Sequence, residues 1–279
     1  MAESATYPLH PRSTIRRKHD RGAYDYLTVH SILRDAPILH ISFLPSDISD
    51  DPFPTTLPMI GAVASFSNPN ADPASEILDI YVHAHSASRL MKLPSSSPHA
   101  TDVADDEDGS PAVPVCVCAT LIDGFVLALT PFNHSCNYRS AIVHGYASVV
   151  TDEPEKNFAL HRITDSVVPQ RWDNTRVPPS KAEITSTSVL KIKIESASAK
   201  IHVGGPGDDR KDLKDENVTE NVWTGVLPVY QVIGDAIPGE NNKVQKVPEY
   251  IGTWRSQSNL EAEKYAREAA LVEEKKKKR

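Results

Sequence analysis

Residues 80–93 read IYVHAHSASRLMKL, a strand-like run that passes into a short helical pattern, with two histidines, two serines and an arginine at the junction. Those residue types at a helix start suit anion binding, because the first turn of a helix leaves backbone amides unpaired at the positive end of its dipole. The spacing predicts that Ser86 caps a helix running to about Leu93, with the amides of Ser88 and Arg89 pointing outward. Hydroxyls at Ser86 and Ser88 add donors, and Arg89 adds a planar charged fork that matches a phosphate. The competing reading is an ordinary serine cap beside a solvent-facing arginine.

Two further clusters carry polar chemistry. NHSCNYRSAIVHG (133–145) sets Tyr138, Arg139 and Ser140 at the start of a long apolar strand. An arginine there needs an anionic or carbonyl-rich partner, supplied either by a ligand or by one of the chain's own acidic residues. VWTGVLPVY (222–230) places Trp223 beside a charged segment, where its ring is open to a planar ligand or to core packing. His83, His85 and His134 are candidate proton donors, each equally readable as a hydrogen-bonding residue. The three cysteines, Cys116, Cys118 and Cys136, have neither metal nor redox spacing, so no metal site is expected.

The elements that must position these residues are mostly short strands. ILHISFL (38–44), TLPMIGAVASF (56–66), EILDIYVHA (76–84), PVCVCATLI (114–122), FVLALT (125–130), RSAIVHGYASVVT (139–151) and TSVLKIKIESASAKIHV (187–203) read as strands. In the last, Leu190, Ile192 and Ile194 alternate with Lys191, Lys193 and Glu195, the period of a half-buried strand. Asp123-Gly124 reads as a turn between two of them. Helices are expected over 24–36 and 153–168, the latter opened by Pro154. Without regular strand–helix alternation, an antiparallel barrel with a few attached helices fits better than a doubly wound sheet.

Composition narrows the class. The chain has 279 residues, 39% hydrophobic content and a formal net charge of −7. That is enough for a sizeable core and lacks the basic excess of a nucleic-acid binder. No apolar run is long enough for a membrane span, and the first 21 residues, MAESATYPLHPRSTIRRKHDR, lack the apolar segment of a secretory signal. A reduced, cytoplasmic protein is expected. Residues 1–22 read as an extended arm, 23–235 as the main domain, and 94–114 as a disordered acidic insertion within it. Residues 236–279 read as an extension ending in a solvated helix (259–279). Its basic end leaves a nuclear address as an alternative.

TTLPMIGAVASF, DIYVHAHSASRLMKL, HSCNYRSAIVHG and WTGVLPV, in this order, resemble the FMN-binding split-barrel flavoproteins, in the branch related to pyridoxamine 5′-phosphate oxidase that includes the 5-nitroimidazole resistance proteins. The resemblance covers residues 15–235 and implies a mainly β fold, a six-stranded antiparallel split barrel with a few peripheral helices. It also implies a homodimer with FMN at the subunit interface. It puts Met59 and Ile60 on the strand that meets the flavin ring, and Tyr81, Val82 and His83 near the ribityl chain. Ser88 and Arg89 resemble the pair that holds the phosphate. Leu90 stands where the oxidase has a lysine, so His85 or Lys92 would complete that grip. Arg139 and Ser140 would approach the cofactor and Trp223 would flank the ring. The implied function is that of an FMN-dependent oxidoreductase acting on a small organic molecule, with NADH or NADPH as candidate electron donor. No counterpart of the oxidase's substrate-phosphate arginines is present, which puts vitamin B6 oxidation in doubt. The rival readings are a non-enzymatic flavin carrier or sensor, and a haem binder on the same barrel with His144 as axial ligand.

Overall fold

The computed structural model describes residues 5–45, 53–96, 101–102 and 111–273. Its strands are β1 (Gly22–Ala23), β2 (Leu39–Phe43), β3 (Thr55–Met59), β4 (Gly61–Ala64), β5 (Asp79–His85), β6 (Thr101–Asp102), β7 (Pro111–Leu127), β8 (Ser135–Val149), β9 (Thr187–His202) and β10 (Gly225–Pro228). The α-helices are α1 (Tyr26–Asp35), α2 (Arg89–Ser96), α3 (Glu153–Val167), α4 (Lys181–Ser186), α5 (Glu216–Thr219) and α6 (Glu249–Leu271). The strand order is β3-β2-β7-β8-β9-β5-β4, with β1 on β9 and both β6 and β10 on β7. The registered pairs all run antiparallel. The protein is mainly antiparallel β-sheet with a few helices, as expected. Among the described residues the sheet has ten strands, where the resemblance implies six.

The chain forms two compact units, residues 1–120 with 140–200, and residues 121–139 with 201–279. In the first, the alternation of β9 works as anticipated, with Leu190, Ile192 and Ile194 buried. α1 starts where the Asp25 side chain accepts the Thr28 amide, and it buries Val29, Ile32 and Leu33. α3 is capped by Asp152, carries Pro154 in its first turn, and packs Ala159 and Ile163 against Tyr81, Ala62 and Val189. Gly145 on β8 has no room for a side chain, because a Cβ there would run into the Lys193 carbonyl of β9.

The amino-terminal arm is anchored rather than loose. Tyr7 is 2% exposed, its amide bonds to the Tyr24 carbonyl, and its hydroxyl meets His30 Nε2 at 2.6 Å. His30 Nδ1 faces the Pro73 carbonyl at 2.9 Å, so Nδ1 carries the proton and Nε2 accepts from Tyr7. Burial lowers the pKa of His30, outweighing its bond to Pro73. The folded state therefore holds this ring neutral, while the unfolded ring titrates near ~6.5. Its contribution to stability is complete above that value and is lost as pH falls below it. Melting temperature should accordingly drop between pH 7.5 and 5. The drop should be smaller, though not abolished, in His30→Gln, because burial also lowers the pKa of His144. Identical slopes for the two proteins would show that His30 is not the responsible group.

Three expectations change. β7 runs unbroken through Asp123-Gly124, with Gly124 opposite Pro228 of β10, so no turn forms there. Gly124 is required because a Cβ at that position would sit 2.9 Å from Val226 Cγ1. Described parts of the expected acidic insertion carry regular structure: α2 extends to Ser96 and β6 pairs with Pro111–Ala112 of β7, while residues 97–100 and 103–110 lie outside the described residues. The carboxy-terminal helix is α6, which begins ten residues before the segment expected and is no solvated tail. It buries Ala266 and Ala269, and the Ala269 carbonyl accepts the Gly204 amide at 2.8 Å. Arg255 and Asn259 hold the Ile233 carbonyl at 3.0 Å each. The basic end, residues 274–279, lies outside the described residues.

Candidate functional site

The junction at the end of β5 is built by the sheet. The β5–β9 ladder ends at His85↔Thr187, and one rung further the Ser86 amide donates to the Ser186 carbonyl at 2.9 Å. Ser86 therefore extends the ladder and is not the helix cap, contrary to expectation. The Ala87 amide donates to His85 Nδ1 at 3.1 Å and the Ser88 amide to the His85 carbonyl at 2.9 Å. That tight turn uses the Ser88 amide, which was expected to point outward. α2 opens at Arg89, and Ser88 immediately precedes it. Ser88 Oγ is buried and has no hydrogen-bond partner. Arg89 and Lys92 are exposed.

Neighbouring strand residues divide by face. Tyr81 and Val82 are fully buried, so their side chains belong to the core. The Tyr81 hydroxyl donates to Glu155 Oε1 at 2.7 Å, and Lys191 Nζ lies 3.3 Å from the same oxygen. Burial first, and then that bond, raises the Tyr81 pKa. His83 and His85 are exposed. His85 Nδ1 accepts the Ala87 amide, which leaves the proton on Nε2 as an outward donor. Met59 ends β3 half-buried opposite Leu39, and Ile60 is exposed one residue before the Gly61↔Val82 pair. The first unit thus brings Ile60, His83, His85, Ser88 and Arg89 to the ends of β5 and of the β3–β4 connection.

Ser140, in the same unit, donates its hydroxyl to the Lys200 carbonyl at 3.2 Å. His144 Nδ1 is buried without a partner, and burial is the main cause lowering its pKa. The imidazole is thereby biased to its neutral, ligating form.

Tyr138, Arg139 and Trp223 belong to the second unit. Arg139 is committed to a protein partner. Its Nε and Nη2 donate to the two oxygens of Asp123 at 3.1 and 2.9 Å, and its guanidinium lies 3.8 Å from the Tyr265 ring centroid. This pair is the acidic-partner alternative that the sequence left open for Arg139. Tyr138 packs against His202, with ring centroids 6.2 Å apart. Trp223 is 65% exposed and lies over Gly225, where a Cβ would meet the indole at 2.7 Å. Of the two readings the sequence left open, the exposure of the ring speaks against core packing. His134 is exposed, with Nδ1 donating to the Thr130 carbonyl at 2.9 Å. Asp123 and Tyr265 escaped the sequence reading. The signal for Asp123 was an acidic residue inside an apolar run, taken for a turn. Among the described residues no cluster of histidine, cysteine and carboxylate side chains could hold a metal ion, and no helix is long and apolar enough to cross a membrane.

Residues 104–201 match the family model described as pyridoxamine 5′-phosphate oxidase. A search of curated proteins returned no match. Among solved structures, the flavocytochrome Anf3 from Azotobacter vinelandii is 28% identical with a TM-score of 0.65, over 88% of this chain and 97% of its own. A FAD- and heme-binding protein from Mycobacterium smegmatis is 20% identical with a TM-score of 0.64, over 84% of this chain and 97% of its own, a likeness of fold. The matched residues hold β7, β8 and β9 as far as Ile201, the middle of the antiparallel sheet, and it is this segment that is similar to the pyridoxamine 5′-phosphate oxidase family.

Proposed function

We propose that the protein is an FMN-binding oxidoreductase acting on a small organic molecule, with the cofactor's phosphate at the start of α2. The observation that carries this reading is the buried, unpartnered Ser88 hydroxyl directly before Arg89. An unsatisfied buried hydroxyl costs about 1–3 kcal/mol, which an anionic acceptor would recover. The residues present fit such a group: Ser88 Oγ donates a hydrogen bond, Arg89 supplies opposite charge, and His85 Nε2–H is a further donor at the same turn. When bound, flavin supplies hydride and single-electron chemistry, while the chain positions it and sets its electrostatics. In this reading two copies of the chain hold the cofactor between them, with Trp223 flanking its ring. A monomer by light scattering that retained stoichiometric flavin would end that part.

A second reading adds haem. It is favoured by the orphaned ring nitrogen of His144 and by the likeness, at 28% identity, to a flavocytochrome. One absorption spectrum of the purified protein separates the two. Two flavin bands in the blue and near ultraviolet are expected for the primary reading. A Soret band that disappears in His144→Ala would establish the second. A colourless protein that ignores added FMN would eliminate the first. Bleaching of the flavin by anaerobic NADH or NADPH distinguishes a reductase from a flavin carrier.

A further inference from the structure

We infer that α4 is a brace for the anion-holding turn and that Lys156, on α3, is the positioning residue that seats it; this rests on the phosphate reading above. The turn at residues 85–88 has few supports of its own. Beyond the His85↔Thr187 rung, its second residue is fixed from outside by the bond from the Ser86 amide to the Ser186 carbonyl at 2.9 Å. Ser186 is the last residue of α4. The final carbonyls of a helix have no intrahelical donor, so they are available to hold something else. Here one of them extends the β5–β9 ladder by a rung and fixes where the turn begins.

α4 has only six residues, too few to be stable alone, so its place must be set by its ends. At its carboxy-terminal end Lys156 Nζ donates to the Ile184 carbonyl at 2.8 Å, a cation where the helix dipole favours one. At its amino-terminal end Ser180 and Glu183 form a capping box. Arg176 Nη2 lies 2.6 Å from both oxygens of Glu183. The Arg176 bond first, and then the Ser180 amide, hold the Glu183 carboxyl down at about 2. The brace is therefore seated by ordinary electrostatics at both ends. One rung beyond it stands the turn that ends in the buried Ser88 hydroxyl. Geometry at a hydrogen-bonding site must be held within fractions of an ångström to keep its strength, and Lys156 does this without touching the ligand.

The test is titration of the full-length protein with FMN and with riboflavin, which lacks the phosphate. Lys156→Met keeps the stem and removes the ammonium. It should weaken FMN binding about 5- to 10-fold, or ~1–1.4 kcal/mol at ~1.4 kcal/mol per factor of ten, less than a direct charged contact because Lys156 acts through the turn. Riboflavin binding should stay within about twofold, and Lys156→Arg should restore most of the FMN affinity. Arg176→Gln, in the exposed segment before α4, loosens the other end and should shift FMN alone in the same direction by a smaller factor. Equal losses for the two ligands, or no loss in either variant while the wild type still prefers FMN, would overturn the brace and leave the phosphate site standing. A wild type that bound FMN and riboflavin equally would overturn the phosphate reading and the brace with it.

Discussion

Arg139→Ala is expected to destabilise the protein by about 3–5 kcal/mol, because it strands a buried carboxylate. Asp123 keeps only 4% of its side chain exposed and Arg139 18%, so solvent cannot take over from either partner. The fork binds both carboxylate oxygens, and Tyr265 of α6 covers its face. These contacts join β7, β8 and α6 within the second unit. The Asp123 carbonyl also accepts the Val229 amide at 3.1 Å, just past the end of β10. Urea unfolding followed by tryptophan fluorescence measures the loss. The double variant Asp123→Leu with Arg139→Met should lose much less than the single one, since apolar replacement of both partners leaves no unpaired charge. A single variant within ~1 kcal/mol of the wild type would show that the pair does not hold this unit together. The same variant separates a structural arginine from a cofactor-binding one. If Arg139 serves Asp123, FMN and riboflavin should weaken together as the unit loosens, with no selective loss for the phosphate-bearing ligand.

The sequence disclosed the strands wherever polar and apolar residues alternate, and disclosed less where a partner decides the conformation. The Leu190, Ile192 and Ile194 face of β9 was legible because period-2 alternation has one physical cause, a half-buried sheet. Asp123-Gly124 misled because its turn propensity is local. What keeps β7 straight is remote: Arg139 satisfies the aspartate, and Val226 needs the space above the glycine. The helix start was displaced from Ser86 to Arg89 for a similar reason. A serine has the side chain for a cap, but the Ser88 amide that a Ser86 cap would accept is taken by the His85 carbonyl in the tight turn. α6 looked solvated because its contact face is made of Ala266, Ala269 and Tyr265. Alanines bury little area each, so an amphipathicity argument hardly registers them. The cluster proposed to bind an anion was visible by residue type, since Ser88 and Arg89 fall together at the turn; which amides and hydroxyls remain unused was not.

Arg89→Ala should weaken FMN binding by roughly 10- to 150-fold while leaving riboflavin nearly unaffected, as follows from a charged hydrogen bond of ~1.5–3 kcal/mol at ~1.4 kcal/mol per factor of ten. The revised helix boundary sharpens the comparison with Lys92. Arg89 is the first residue of α2, beside the Ser88 hydroxyl, whereas Lys92 comes three residues later in the helix. A turn of helix rises about 5.4 Å, and the dipole's influence fades within that first turn. Lys92→Ala should therefore cost much less. Ser88→Ala should fall between them, since a neutral hydroxyl makes a bond roughly half as strong as a charged donor. It should also slightly stabilise the ligand-free protein, because it removes a buried hydroxyl that has no partner there. That pair of opposite effects, weaker FMN binding and higher ligand-free stability, is difficult to obtain from a residue that merely packs. Parallel losses of FMN and riboflavin at Arg89, or a larger effect at Lys92, would move the phosphate away from this junction.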